Sequence, residues 1–232
     1  MSTQARSIGR AVGVLYILGT VCGVLSATVT SGLSGSNDPL AAAASRQDEL
    51  AIGAILILTM AAALAMIPVV AYPILSQVST LLARGYFLFR SVLEAVTYVM
   101  TVVGWLLLAS VSASPDVPAV WGETLFDLEG AAVAGPIYFL TGAGMFYVIL
   151  YRGRLPRWLS TWGLVAILPS LVSVFLVLFT DVDVSTNSTM TVLLDLPIGL
   201  QEVVLAVWLI VKGFATDQVE LAQRSVPTVG PG

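Results

Sequence analysis

The sequence contains no histidine. That removes the commonest metal ligand and the usual proton shuttle near neutral pH. It contains one cysteine, Cys22, so no internal disulfide forms and no cysteine-rich metal site can be built. Cys22 stands inside an apolar run and reads as a small apolar helix residue. Charge is scarce as well: Asp, Glu, Lys and Arg make up 10% of the 232 residues, against about 25% in soluble domains. The net charge is −4 and there is no basic patch beyond short loops, which argues against nucleic acid as a partner. Nucleotide-binding loops, a Gly-x-Ser-x-Gly elbow and a histidine-bearing metalloprotease helix are all missing. Nothing in the chain calls for a cofactor or a metal.

What the chain has in abundance is apolar length. Hydrophobic residues make up 57% of it and the mean hydropathy is +0.94. About twenty consecutive apolar residues cross a bilayer as a helix. Six such runs are present, at about 8–30, 48–71, 86–110, 124–151, 159–180 and 191–213. The expected fold is an all-α polytopic membrane bundle of six transmembrane helices over residues 1–214. A polar tail, 215–232, is expected to be disordered. The first run follows Arg6 and Arg10 and is longer than the 7–15 residues of a signal-peptide core, so it reads as a retained helix. Gly9 and Gly13, and Gly19 and Gly23, are spaced by four and offer smooth strips for close helix packing. Residues 31–47, 72–85 and 112–123 read as connections rich in Gly, Pro and polar residues. Pro68 and Pro73 are expected to kink or end the second helix.

Basic residues are unevenly placed. With alternating spans, Arg6, Arg10, Arg84, Arg152, Arg154, Arg157, Lys212 and Arg224 fall on one side and Arg46 on the other. The positive-inside rule then puts both termini in the cytoplasm of a plasma-membrane protein. Trp105, Trp121, Trp158, Trp162 and Trp208 read as interfacial anchors near span ends. The turn from Arg152 to Arg157 reads as a topology determinant, with anionic lipid binding as the sharper alternative. Asn187-Ser188-Thr189 fits an N-glycosylation triplet on the outer side.

Charged residues inside spans cost several kcal/mol each when left in hydrocarbon, about 2.5–3.5 kcal/mol on insertion scales. They are therefore the candidate site. Arg90 and Glu94 are four apart and share a helix face. Asp195 and Glu202 are seven apart on the last helix and also share a face. Glu202 lies close to mid-membrane and Glu94 about a third of the way up from the cytoplasmic side, so their carboxylates are expected at similar heights. Arg90, Glu94 and Glu202 are expected to point into the bundle and meet, with Asp195 nearer the outer surface. One arginine for two acids implies that one carboxylate holds a proton. Asp127 and Glu129 are weaker outer-side candidates that read mainly as interfacial.

The run 196–214, LPIGLQEVVLAVWLIVKGF, resembles the closing helix of the bacterial and archaeal membrane family called domain of unknown function 4386. Gly9 to Tyr16 in the first span is similar to that family, as are Phe89-Arg90 with Glu94-Ala95 in the third and Arg154 to Gly163 at the fifth. The resemblance implies an arginine and a glutamate three apart in the third span, where this chain has them four apart. It also implies a six-helix integral membrane protein and no particular activity.

Three classes of function compete. A small transporter or permease would line a central polar path with Glu94 and Glu202. A non-catalytic component or sensor would pack against a partner membrane protein and close its charged groups on one another. An intramembrane enzyme ranks last, because without histidine few acid/base groups remain. The expected surroundings are the lipid bilayer and either a small solute or a partner membrane protein.

Overall fold

Every regular element among the described residues is helical. The protein is seen as a computed structural model that describes residues 3–34, 36, 38–114, 116–118, 120–127, 129–179 and 189–215. The side chains at 34, 123, 127, 129–132, 177, 189 and 191 lie outside the description. Also outside it fall the expected acidic loop at Asp181 and Asp183, the first two residues of the Asn187 triplet, and the tail beyond 215.

The helices are α1 (Thr3–Val29), α2 (Ser31–Ser34), α3 (Pro39–Ser45), α4 (Gln47–Leu75), α5 (Thr80–Phe87), α6 (Glu94–Val111), α7 (Val120–Asp127), α8 (Glu129–Tyr151), α9 (Arg157–Phe179) and α10 (Thr189–Val211). A π turn, Leu88–Leu93, joins α5 to α6 in one continuous span. Six helices among the described residues are long and apolar enough to cross a membrane. In hydrocarbon each backbone N–H and C=O must be satisfied within its own helix, and this makes such runs helical whatever their propensity.

Several boundaries differ from the sequence reading. The third span starts at Thr80, where Ser79 caps the helix by accepting from the Leu82 N–H at 3.3 Å, so the connection shrinks to the turn 76–79. Neither Pro68 nor Pro73 ends α4, which runs on to Leu75. Ser91 on the neighbouring span donates to the Ala65 carbonyl at 2.6 Å, in the turn that Pro68 disturbs. The fourth span does not begin at Thr124. Residues Val120–Asp127 form the separate helix α7, and the spanning helix after it is α8, from Glu129. The expected loop 31–47 folds into α2 and α3, with Asp38 capping α3 through the Ala41 N–H at 3.0 Å and Pro39 in its first turn.

The spans form a ring in chain order. α1 packs on α4, α4 on the third span, the third span on α8, α8 on α9, α9 on α10, and α10 closes back on α1. The third and sixth spans therefore face each other across the axis. At the end carrying both described termini, one apolar core unites all six spans, from Val12 and Ile74 through Tyr86, Phe146 and Leu150 to Leu159 and Leu209. Toward the other end the core divides. One part joins Leu33, Ala43, Leu50, Trp105, Leu108 and Phe126 of the first half of the chain and α7. The other joins Leu140, Ala166, Val174 and Ile198 of α8, α9 and α10. Trp105 is not an interfacial anchor: it is buried, stacks on Phe126 at 5.5 Å and donates its indole N–H to the Phe126 carbonyl at 3.0 Å.

The two glycine pairs of α1 face different neighbours. A Cβ on Gly9 would stand 2.7 Å from the Gly213 Cα, and one on Gly13 2.6 Å from the Ala206 carbonyl oxygen, so this strip seats α10. A Cβ on Gly19 would meet Leu64, and one on Gly23 the sulfur of Met60, so the second strip seats α4. Ser26 extends that contact by donating to the Gly53 carbonyl at 3.0 Å. Close backbone approach of this kind supplies the dispersion contact that holds helices together where lipid removes the hydrophobic drive.

Candidate functional site

Where the apolar core divides, the ring axis is crossed by charge. Arg90 is 3% exposed and Glu94 fully buried. Arg90 Nη1 donates to both Glu94 carboxylate oxygens, at 2.9 and 3.0 Å. Tyr98, one turn further on, donates its hydroxyl to Glu94 Oε1 at 2.8 Å. From the opposite side of the ring Glu202 approaches Arg90 Nη2 at 3.5 Å, and its side chain is 17% exposed. The Phe139 ring lies 4.7 Å from the guanidinium carbon, and a π face of this kind attracts a cation. The expected meeting of Arg90, Glu94 and Glu202 is thus observed.

The two acids are held differently. Glu94 has three close donor contacts, whereas Glu202 has one long one among the described residues. The local cause lies in the π turn. The Glu94 N–H donates to the Phe89 carbonyl, five residues back rather than four. Such a turn carries one residue more than the α turn it replaces. Within it Arg90 and Glu94 face each other. On the adjacent span, Gly142 of α8 gives the turn room: a Cβ there would already touch the Phe89 Cβ at 3.4 Å and the Arg90 nitrogen at 3.6 Å.

Buried tyrosines surround the acids on the side of the common core, and sequence reasoning did not single them out. Tyr16 of α1 and Tyr86 of α5 bring their hydroxyls within 3.5 Å of each other. Phe146 stacks on Tyr86 at 4.7 Å. Glu202 lies within electrostatic range of Tyr16, Tyr86 and Tyr147. Gln201, beside Glu202 and fully buried, accepts from the Tyr147 hydroxyl and donates to the Leu159 carbonyl at 3.1 Å. The available signal was a tyrosine or glutamine inside an apolar run, since such a group must find a partner when buried.

Asp195 does not join the cluster. It is exposed, beside Ser170 of α9 and about two turns toward the end of the bundle away from the termini. Asp127 and Glu129 belong to α7 and α8, but their side chains fall outside the described residues. The basic turn after α8 is also more than a topology signal. Arg154 is buried and donates to Gln77 Oε1 at 3.0 Å and to the Ala215 carbonyl at 3.5 Å, while its own carbonyl accepts from the Ala215 N–H at 3.0 Å. It ties two connections and the end of α10 together. Gly213, at φ 72°, makes the sharp exit from α10 that this requires.

Chemically, the arrangement is a buried cation shared unequally by two carboxylates. Taken alone, Arg90 and Glu94 are a neutral, well-bonded pair. Glu202 adds a negative charge with one weak contact, which a proton or a cation can neutralise. No curated protein and no solved structure matches this chain. The family model described as domain of unknown function DUF4386 matches residues 11–213, nearly the whole bundle including every member of the cluster. The chain belongs to the domain of unknown function 4386 family.

Proposed function

We propose that this protein is a small carrier of the plasma membrane, with both termini cytoplasmic, in which Glu202 is the group that takes up and releases a proton. The observation carrying this reading is the unequal hold on the two carboxylates that meet at Arg90. Glu94 is fixed by 2.9, 3.0 and 2.8 Å contacts and acts as the permanent counter-ion. Glu202 stands on one 3.5 Å contact and keeps some exposure. Protonation frees it from Arg90 without stranding a charge, whereas the same step at Glu94 breaks three bonds. Two further features support the reading: the ring is sealed by one core at the terminal end and divided at the other, and the acids sit where the division starts.

The test is a pH jump applied to proteoliposomes of the full chain on a solid-supported membrane. The wild type is expected to give a transient charge displacement, and Glu202→Gln to abolish it while retaining its thermal unfolding profile. Equal signals from the two proteins, or none from the wild type, refute the carrier reading. The tight Arg90–Glu94–Tyr98 half of the cluster favours the alternative, a non-catalytic component or sensor that packs against a partner membrane protein. In that case Glu202→Gln changes neither charge movement nor fold.

A further inference from the structure

The seam between α1 and α10 is closed in one half and open in the other. Near the terminal end Gly9 and Gly13 lie against Gly213, Ala206 and Ile210, and Arg10 Nε donates to the Ile210 carbonyl at 3.4 Å. Continuing that stripe back along α10 from Ala206, at alternating spacings of four and three, come Glu202, Gly199 and Asp195. Here α1 no longer covers it. Nothing lies within 4 Å of a Cβ built on Gly199, and Asp195 is exposed. In this half α1 turns Gly19, Gly23 and Ser26 to α4, and α10 turns Ile198 into the core of α8 and α9. The exposed edges are apolar on both helices: Val24 is 61% exposed and Leu200 50%.

This uncovered stretch of α10 lies on the outside of the ring and holds Glu202, whose side chain is 17% exposed. Its charge is of one sign. Residues 11–29 of α1 carry no charge at all, and α10 contributes Asp195 and Glu202. Arg90 is already neutralised by Glu94. In the core on the terminal side, the buried Tyr16 and Tyr86 hydroxyls have only their mutual 3.5 Å contact among the described residues. A carboxylate on a wall open to hydrocarbon is costly unless a counter-charge meets it.

We infer that the α1–α10 seam is a lateral entry from the membrane for a lipophilic organic cation, which binds Glu202 in place of the proton. This deepens the carrier reading and rests on it for the proton exchange. Hydrophilic cations lack the apolar part that the seam walls would cover, and anions are repelled by Asp195 and Glu202.

The experiment is equilibrium binding of radiolabelled tetraphenylphosphonium to the full chain in nanodiscs, corrected for empty nanodiscs. Tetraphenylborate serves as the probe of like shape and opposite charge, and tetramethylammonium as the hydrophilic cation. Saturable binding of tetraphenylphosphonium is expected, at least tenfold tighter than either control. Glu202→Gln should weaken it tenfold or more, Asp195→Asn several-fold, and Asp116→Asn in the exposed outer turn not at all. Gly199→Leu places a side chain in the open seam and should block binding with Glu202 intact; Thr20, one heptad beyond Gly13 on α1, lies on the other wall, and Thr20→Leu tests the same route. Equal affinity for tetraphenylborate or tetramethylammonium, or unchanged binding in Glu202→Gln or in both seam variants, overturns the inference. A pH-jump current that depends on Glu202, without cation binding, overturns this inference and leaves the carrier reading intact. Cation binding without such a current does the reverse.

Discussion

At the scale of single residues, Arg90 is the group on which the interior depends. It is 3% exposed, donates from Nη1 to both Glu94 oxygens and is reached from across the ring by Glu202. Removing one member of such a buried set strands the others as charges, at a cost of about 3–5 kcal/mol. Arg90→Ala is therefore expected to lower unfolding stability by that amount in denaturant titrations, and Glu202→Gln by much less, because the amide keeps the shape and can still accept from Arg90. Equal losses in the two variants would contradict the unequal hold. Gln201 makes a second case. Tyr147→Phe removes the hydroxyl that meets Gln201 Oε1 and leaves that oxygen buried without its donor. A loss of about 1–3 kcal/mol is expected, with no effect on pH-jump currents, and the same titration measures it.

At the scale of elements, the π turn and the glycine seams decide how the spans meet. Gly142 contacts the turn at Phe89 and Arg90, whereas a Cβ on Gly144 of the same helix meets only Ile167, at 3.8 Å. Gly142→Leu is expected to displace the turn and lower the thermal midpoint by several degrees, and Gly144→Leu to be tolerated. Parallel melts of the two purified variants check this, and the reverse ranking would mean that the turn is not held by α8. Gly13→Leu should be worse than either, because its side chain would run into the Ala206 backbone oxygen, which cannot swing away. Elements also explain where the sequence misled. A polar, Gly- and Pro-bearing stretch such as 31–47 reads as loop, but Leu33 and Ala43 have a place to be buried only because α4, α6 and α7 present one. Trp105 near a span end reads as an anchor, yet Phe126, twenty-one residues away, supplies both a ring and a carbonyl. Such partners are absent from any local window.

At the scale of the whole molecule, orientation is the first matter to test. With Cys22 replaced by alanine, cysteine introduced at the exposed Ser114 should react with an impermeant thiol reagent added to intact cells. Reaction only after permeabilisation would invert the proposed orientation and place the divided end of the ring in the cytoplasm. The sequence by itself determined the number of spans and their helical state, because apolar length and the bilayer's intolerance of unsatisfied backbone leave no other fold. It also determined that Arg90, Glu94 and Glu202 must turn inward, since the energy of charge in hydrocarbon is a local property of each residue. What only the tertiary structure decided is how these groups share one another. The closure of six helices into a ring in chain order sets the third span opposite the sixth, and one π turn sets the reach of Arg90. Together they give Glu94 three close contacts and Glu202 one, a difference of tenths of an ångström that depends on packing from α8 and α1 and that no residue pattern along the chain encodes.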